Sequence, residues 1–243
     1  YPIGQIVQKV IPALLTGNTV VLKPSQSTPL TACLMMEAFR LADFPKGVVN
    51  LVSGRGSRAG AELALNPKVA MISFTGSTAV GVSLSQQALK TVKRISLELG
   101  GKSPCVWLPD LPDYRPAVKP LFNSIFLNSG QTCTALSRLI VPKARLAEVE
   151  KLLQDHVKDY PVGDPFDPKV LIGPMASRQQ FETVKSYIEL GVKEGARLLA
   201  GSIPEEPGAH EKGWFIQPTI FTDVKNDMRI AREEIFGPVL CVI

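Results

Sequence analysis

The sequence predicts an α/β protein, a parallel-sheet unit followed by a second α/β unit, and three observations carry that expectation. Short apolar runs alternate with longer stretches of helical periodicity through residues 1–99. Strands alternating with helices argue for a parallel sheet covered on both faces. Turn residues, such as Gly17-Asn18 and Thr28-Pro29, punctuate the alternation. The rhythm then changes after Gly100-Gly101, which divides the chain into units at 1–99 and 100–243.

Each element follows from its local pattern. Ile3 to Leu15 carries apolar residues at helical spacing and stops at Gly17-Asn18. Thr19 to Leu22 is a short buried strand. Thr28-Pro29 opens a helix through about Ala42, with proline in the first turn where its missing N–H costs nothing. A strand at Val48 to Val52, a helix at Arg58 to Leu65 and a strand at Met71 to Phe74 follow. A helix from Ser77 to Leu89 and a strand from Arg94 to Leu99 complete the first unit. In the second, Pro104 to Leu108 is a strand, Tyr114 to Leu127 a helix, and Asn128 to Ser137 a loop of small polar residues. A strand at Leu139 to Val141 and helices at Leu146 to Lys158 and Ser177 to Glu194 come next. A strand pair, Arg197 to Ala200 and Trp214 to Phe221, precedes a short charged helix at Met228 to Glu233. The apolar run Pro238 to Ile243 is a last buried strand.

Composition excludes several classes. Of 243 residues, 45% are apolar and 20% charged, the balance of an ordinary globular protein. The apolar runs are short and broken by charge, so no membrane span is expected. The net charge of +5 is spread along the chain, with Lys93-Arg94 the only adjacent basic pair. Without a basic stripe or a recognised motif, nucleic-acid binding is not expected. Four cysteines (Cys33, Cys105, Cys133, Cys241) show no metal-ligand spacing, and His156 and His210 lie far apart. Neither a zinc site nor a Ser-His-Asp triad is therefore expected. Single, widely spaced cysteines suit a reducing, cytoplasmic setting. Three of them lie in apolar periodic segments and are expected in the core. The chain starts at Tyr1-Pro2 and stops inside an apolar strand, so both ends look cut from a longer protein.

Six segments could carry chemistry. Gly54-Arg55-Gly56-Ser57-Arg58-Ala59 matches a GxGxxA turn between strand and helix, where backbone can approach a pyrophosphate. The acidic residue expected about 20 residues on is absent, and a plain glycine turn suits it equally. Phe74-Thr75-Gly76-Ser77-Thr78-Ala79-Val80-Gly81 exposes N–H groups and hydroxyls at a helix start. That is either an anion site or an ordinary N-cap. Lys23 ends a strand, where parallel sheets bind ligands, or is a surface lysine. Glu98 lies between Leu97 and Leu99; a carboxyl desolvated by apolar neighbours gains basicity and suits a general base, unless it faces solvent. Cys133, in Asn128-Ser129-Gly130-Gln131-Thr132-Cys133-Thr134, is the one cysteine in a polar loop, either where substrate can reach a thiol or as a buried loop cysteine. Glu233-Glu234-Ile235-Phe236-Gly237-Pro238 is an acidic pair at a helix end, where charge is usually just solvated, followed by an aromatic and a Gly-Pro turn.

These segments, in this order, resemble the aldehyde dehydrogenase superfamily. The resemblance rests on Gly17-Asn18-Thr19-Val20-Val21-Leu22-Lys23-Pro24-Ser25, Phe74-Thr75-Gly76-Ser77, Leu97-Glu98-Leu99-Gly100-Gly101-Lys102, Gly130-Gln131-Thr132-Cys133 and Glu233-Glu234-Ile235-Phe236-Gly237-Pro238. It implies an incomplete Rossmann-like cofactor domain followed by a truncated catalytic domain. It further implies oxidation of an aldehyde to a carboxylate with NAD or NADP. Cys133 becomes the nucleophile and Glu98 the base. Lys23, Ser25, Gln26, Gly56, Phe74, Gly76, Ser77, Val80, Leu99, Glu234 and Phe236 become cofactor contacts, with Gly54-Arg55-Gly56 beside the adenosine. Gln26 stands where many NAD-preferring members have Glu, which removes a charge that would repel a 2′-phosphate. The family's Pro-Trp-Asn, whose Asn helps form the oxyanion hole, would precede Tyr1; losing one such donor costs about 10²–10³ in rate. The resemblance also implies a homo-oligomer. A catalytically impaired scaffold and a CoA-acylating relative are the alternatives; a water-activating Glu98 favours hydrolysis over the latter.

Overall fold

The computed structural model describes residues 1–205 and 213–243; His210 lies outside them. These residues form two compact units, Tyr1–Gly100 and Gly101–Ile243, and the fold is mixed α/β with parallel strands, as the alternation predicts.

In the first unit the order is α1 (Pro2–Leu15), β1 (Val20–Leu22), α2 (Leu30–Leu41), β2 (Val49–Leu51), α3 (Ala61–Leu65), β3 (Met71–Thr75), α4 (Thr78–Ala88) and β4 (Arg94–Glu98). The single sheet expected here is two parallel pairs among the described residues, β1 with β2 and β3 with β4. The strands are short, and β3 alternates between exposed and half-buried residues rather than running apolar on both faces. Ile6 and Val10 of α1 pack with Ala32 and Phe39 of α2 in a small core under β1 and β2. Ahead of α3, residues Gly56–Gly60 form one wide π-type turn, so the helix expected from Arg58 starts three residues later as regular α.

The second unit runs β5 (Pro104–Val106), α5 (Arg115–Phe126), β6 (Arg138–Ile140), α6 (Leu146–Val157), α7 (Arg178–Lys193), β7 (Arg197–Ala200), β8 (Thr219–Thr222), α8 (Arg229–Arg232) and β9 (Val239–Val242). Its sheet has the order β5-β6-β9-β8-β7, with only β7 antiparallel. The strand expected over Trp214 to Phe221 is confined to Thr219–Thr222, because Pro218 has no N–H to give a ladder. Helix α5 buries Val118, Leu121, Phe122, Ile125 and Phe126, the spacing of one helical face. Phe122 and Phe126 pack against each other and against Tyr160, and each buried ring stabilises the fold by roughly 1.5–3 kcal/mol. Both faces of the sheet are therefore filled, one by α5 and α6, the other by α7 and α8.

The expectation that three cysteines are core residues holds for one. Cys241 is fully buried on β9, Cys105 is half-buried, and Cys33 is exposed on α2. Apolar periodicity marks a helix face, but Leu30, Leu34 and Leu41 on the same helix are also largely exposed. No described helix is long and apolar enough to cross a membrane.

Candidate functional site

In the first unit the predicted residues fall at the C-terminal ends of the strands, in two groups. Lys23 follows β1. Its aliphatic stem lies beside Gly60, where an added Cβ would stand 3.7 Å from Lys23 Cε. Lys23 Nζ donates to Pro24 O at 2.6 Å, and burial pushes its amine down. Ser25 and Gln26 are exposed beyond it. Gly56 opens the π-type turn, next to an open cavity of about 580 Å³ lined by Ser53, Gly54, Arg55, Arg58 and Ala59. Among the described residues no carboxylate pairs with Arg55 or Arg58.

The second group gathers where β3 and β4 end side by side, with Thr75 paired to Glu98. Gly76 N–H donates to Glu98 O at 3.1 Å. A Cβ on Gly76 would meet the Phe74 ring at 2.5 Å, so any larger residue there would have to displace that ring. Ser77 is the N-cap of α4, its Oγ accepting from Val80 N–H at 3.4 Å. Leu99 packs on Gly81, where a Cβ would stand 2.6 Å from Leu99 Cδ2. Phe74, Gly76, Ser77, Val80, Glu98 and Leu99 thus form one cluster. One expectation fails: Glu98 is exposed, as is Leu97, so the flanking leucines do not desolvate the carboxylate. Side chains at i and i±1 point to opposite faces of a strand and cannot wrap a residue between them.

In the second unit the loop after α5 makes an unusual turn. Asn128, Ser129 and Gly130 take left-handed φ values of 56°, 54° and 69° in succession. Each of the two non-glycine residues costs about 1–2 kcal/mol, so the turn persists only where hydrogen bonds fix it. Asn128 Nδ2 donates to Gln131 O at 2.8 Å, Ser129 Oγ to Gly173 O at 2.8 Å, and Ala176 N–H to Gln131 Oε1 at 3.0 Å. The following turn, closed by Ala135 N–H to Thr132 O at 3.1 Å, carries Cys133 at its second position. The Cys133 residue is half-buried. Among the described residues its backbone N–H makes no hydrogen bond.

Gly130 meets Gly237 directly: a Cβ on Gly130 would lie 2.2 Å from Gly237 C and O. That contact brings the segment Glu234 to Pro238 against the loop that carries Cys133. Gln180 of α7 fixes this segment from behind, its Nε2 donating to Ile235 O at 3.1 Å and Phe236 O at 3.0 Å. Phe236 is partly exposed at φ 55°. The acidic pair divides. The Arg229 guanidinium, with help from the Tyr187 hydroxyl, holds Glu233 at about 2. Glu234 turns inward and accepts from Gly101 N–H at 3.4 Å. Burial pushes its carboxyl up, against the opposing pull of Gly101 N–H and Lys102. Gly101 also abuts the thiol-bearing turn, where an added Cβ would stand 3.0 Å from Cys133 O. Gln180 escaped the sequence reading, because its partners Ile235 and Phe236 lie 55 and 56 positions away, whereas Gln131 and Gly237 entered it only as members of longer motifs. No described group of His, Cys, Asp and Glu has the arrangement of a metal site.

Comparison with known proteins gives the same answer throughout. The model of the aldehyde dehydrogenase family matches residues 1–243. The chain is 49% identical over 243 residues to a 3-succinoylsemialdehyde-pyridine dehydrogenase of Pseudomonas sp, covering 100% of this chain and 50% of that protein. It is 45% identical over 240 residues to human retinaldehyde dehydrogenase 3, covering 98% of this chain and 46% of the relative. It superposes with a TM-score of 0.95 and 47% identity on a mutant aldehyde dehydrogenase C from Pseudomonas syringae in complex with NAD+ and octanal, over 100% of this chain and 50% of that one. An indole-3-acetaldehyde dehydrogenase complexed with NAD+ superposes with a TM-score of 0.96 at 40% identity, over 100% of this chain and 49% of that one. The chain spans about half the length of the curated relatives it matches. With one family model matching from first residue to last, the chain belongs to the aldehyde dehydrogenase family.

Proposed function

We propose that the protein carrying this chain oxidises an aldehyde to a carboxylate with NAD+ or NADP+, using Cys133 as nucleophile. The observation that carries the reading is the Cys133 turn: a half-buried thiol beside a backbone N–H with no hydrogen bond among the described residues. Residues 1–99 serve as the cofactor-binding part and residues 100–243 as the thiol-bearing part.

The residues present fit a dinucleotide. Two guanidiniums without carboxylate partners among the described residues, Arg55 and Arg58, line an open cavity within the roughly 300–1,000 Å³ typical of ligand pockets. The capped start of α4 at Ser77 offers N–H groups to an anion, and Gly76 before it leaves room for the Phe74 ring. Lys23, Ser25, Gln26, Gly56, Phe74, Val80 and Leu99 complete this surface, and Glu234 and Phe236 serve the nicotinamide end. When bound, the cofactor supplies the hydride acceptor.

The chain's own residues do the rest. Cys133 Sγ, as thiolate, adds to the aldehyde carbon and gives a thiohemiacetal. The Cys133 N–H donates to the oxygen that becomes negative, the preorganised stabilisation that dominates such reactions. Loss of hydride from the same carbon leaves an acyl group on Sγ as a thioester. Glu98 takes a proton from the water that attacks this acyl carbon, and the carboxylate leaves as the thiol is restored. An exposed carboxylate suits this task, since it meets water.

The test is Glu98→Gln in the enzyme that carries this chain, followed by absorbance of NAD(P)H. The expected result is a rapid burst of about one equivalent per active site, then turnover slowed about 10²–10⁴-fold, the usual worth of a positioned base. Unimpaired steady-state turnover would remove Glu98 from the mechanism.

A further inference from the structure

Two buried polar atoms in the second unit have no hydrogen-bond partner among the described residues: Lys102 Nζ and Thr132 Oγ1. Both residues line one small cavity, together with Gly101, Ser137, Glu234 and Gly237. Its volume is about 10 Å³, close to the roughly 10–15 Å³ that a single water needs. Leaving a buried amine and a buried hydroxyl both unmatched is unfavourable. A water satisfies both at once, accepting from the amine and exchanging a hydrogen bond with the hydroxyl. Burial pushes the Lys102 amine down and the Arg138 guanidinium adds to that, while Glu234 on the same cavity pulls the other way. The position matters because Thr132 immediately precedes Cys133. The loop is fixed from outside before Thr132 at Ser129 and Gln131 and again at Leu136, whose N–H donates to Ser124 Oγ at 3.0 Å. That leaves Thr132 and Cys133 without an outside hydrogen bond among the described residues. Gly101, the neighbour of Lys102, already touches the Cys133 carbonyl region.

We propose that Lys102 is a positioning residue for the Cys133 thiol: one buried water joins its Nζ to Thr132 Oγ1 and holds the turn that presents the nucleophile. The role rests on Cys133 being that nucleophile. The test is a double-mutant cycle in the enzyme that carries this chain, with Lys102→Met, Thr132→Val and the pair, plus Thr132→Ser. Each of the first two should lower kcat by about 10- to 10²-fold, the cost of a slightly misplaced reacting group, while KM for NAD(P)+ stays within about twofold. Two residues sharing one water are not additive, so the double variant should be no worse than the poorer single one. Thr132→Ser keeps the hydroxyl and should retain normal kcat, which also guards against a Lys102→Met protein that fails to fold. A high-resolution crystal structure should show a water within hydrogen-bond distance of both atoms. Fully additive losses, an unchanged Thr132→Val enzyme, or a cavity without water density would overturn the proposal. Persistent oxidation by Cys133→Ser would instead refute the nucleophile reading, and the crystallographic result would still stand.

Discussion

Cys133→Ser in the enzyme that carries this chain is expected to lower NAD(P)-dependent aldehyde oxidation by roughly 10⁴- to 10⁶-fold, the range seen when a covalent nucleophile is removed. The substitution changes one atom. An alcohol stays protonated at neutral pH, whereas a thiol is partly ionised and its thiolate is the reacting form. Sγ to Oγ leaves the turn from Thr132 to Ala135 and its hydrogen bond undisturbed, so cofactor affinity and thermal stability should not move. The same substitution at Cys33, exposed on α2, or at Cys105, half-buried on β5, should leave turnover near normal. Steady-state NAD(P)H formation with a cofactor-binding titration checks all three. Normal activity in Cys133→Ser would end the nucleophile assignment.

The second large effect is structural. Gly130→Ala places a Cβ 2.2 Å from the backbone C and O of Gly237 and 2.5 Å from Pro238 N. Backbone cannot swing aside as a flexible side chain can, and the residue must also hold φ +69°. Overpacking and left-handed strain together cost about 3 kcal/mol or more. For a unit of this size that lowers Tm by about 6 °C or more. The loss should extend to catalysis, because the displaced loop carries Cys133. Thermal unfolding and kcat measured on one preparation test both arms. A Gly130→Ala protein with unchanged Tm and unchanged kcat would contradict the close packing of the two loops.

Much of the fold was legible in the residues. Helix ends at Gly17-Asn18 and Ser77, and the apolar face of α5, lie in local pattern, and the structure follows them closely. What was lost depends on distant partners. The run Trp214 to Phe221 has strand composition throughout, yet pairing starts only after Pro218. A helical apolar stripe at Cys33 does not say whether anything covers it. Glu98 between two leucines suggested desolvation, but neighbours in a strand face opposite ways. At the candidate site, loop composition singled out Cys133, whereas the left-handed Asn128 and Ser129 carried no glycine to announce them. Glu234 was read as a solvated helix end, although Gly101 N–H, 133 positions earlier, turns it inward. The unmatched Lys102 amine becomes visible only once Thr132 and Glu234 surround the same small cavity.

The most direct measurement traps the acyl group. The Glu98→Gln enzyme, mixed with an aldehyde and NAD(P)+, quenched in acid within the burst and digested, should yield the peptide containing Cys133 heavier by one acyl group. The label should be released by hydroxylamine, as a thioester requires. Acylation of Cys33, Cys105 or Cys241 instead, or a full burst of NAD(P)H with no acyl group on Cys133, would contradict Cys133 as the residue that carries the substrate through oxidation.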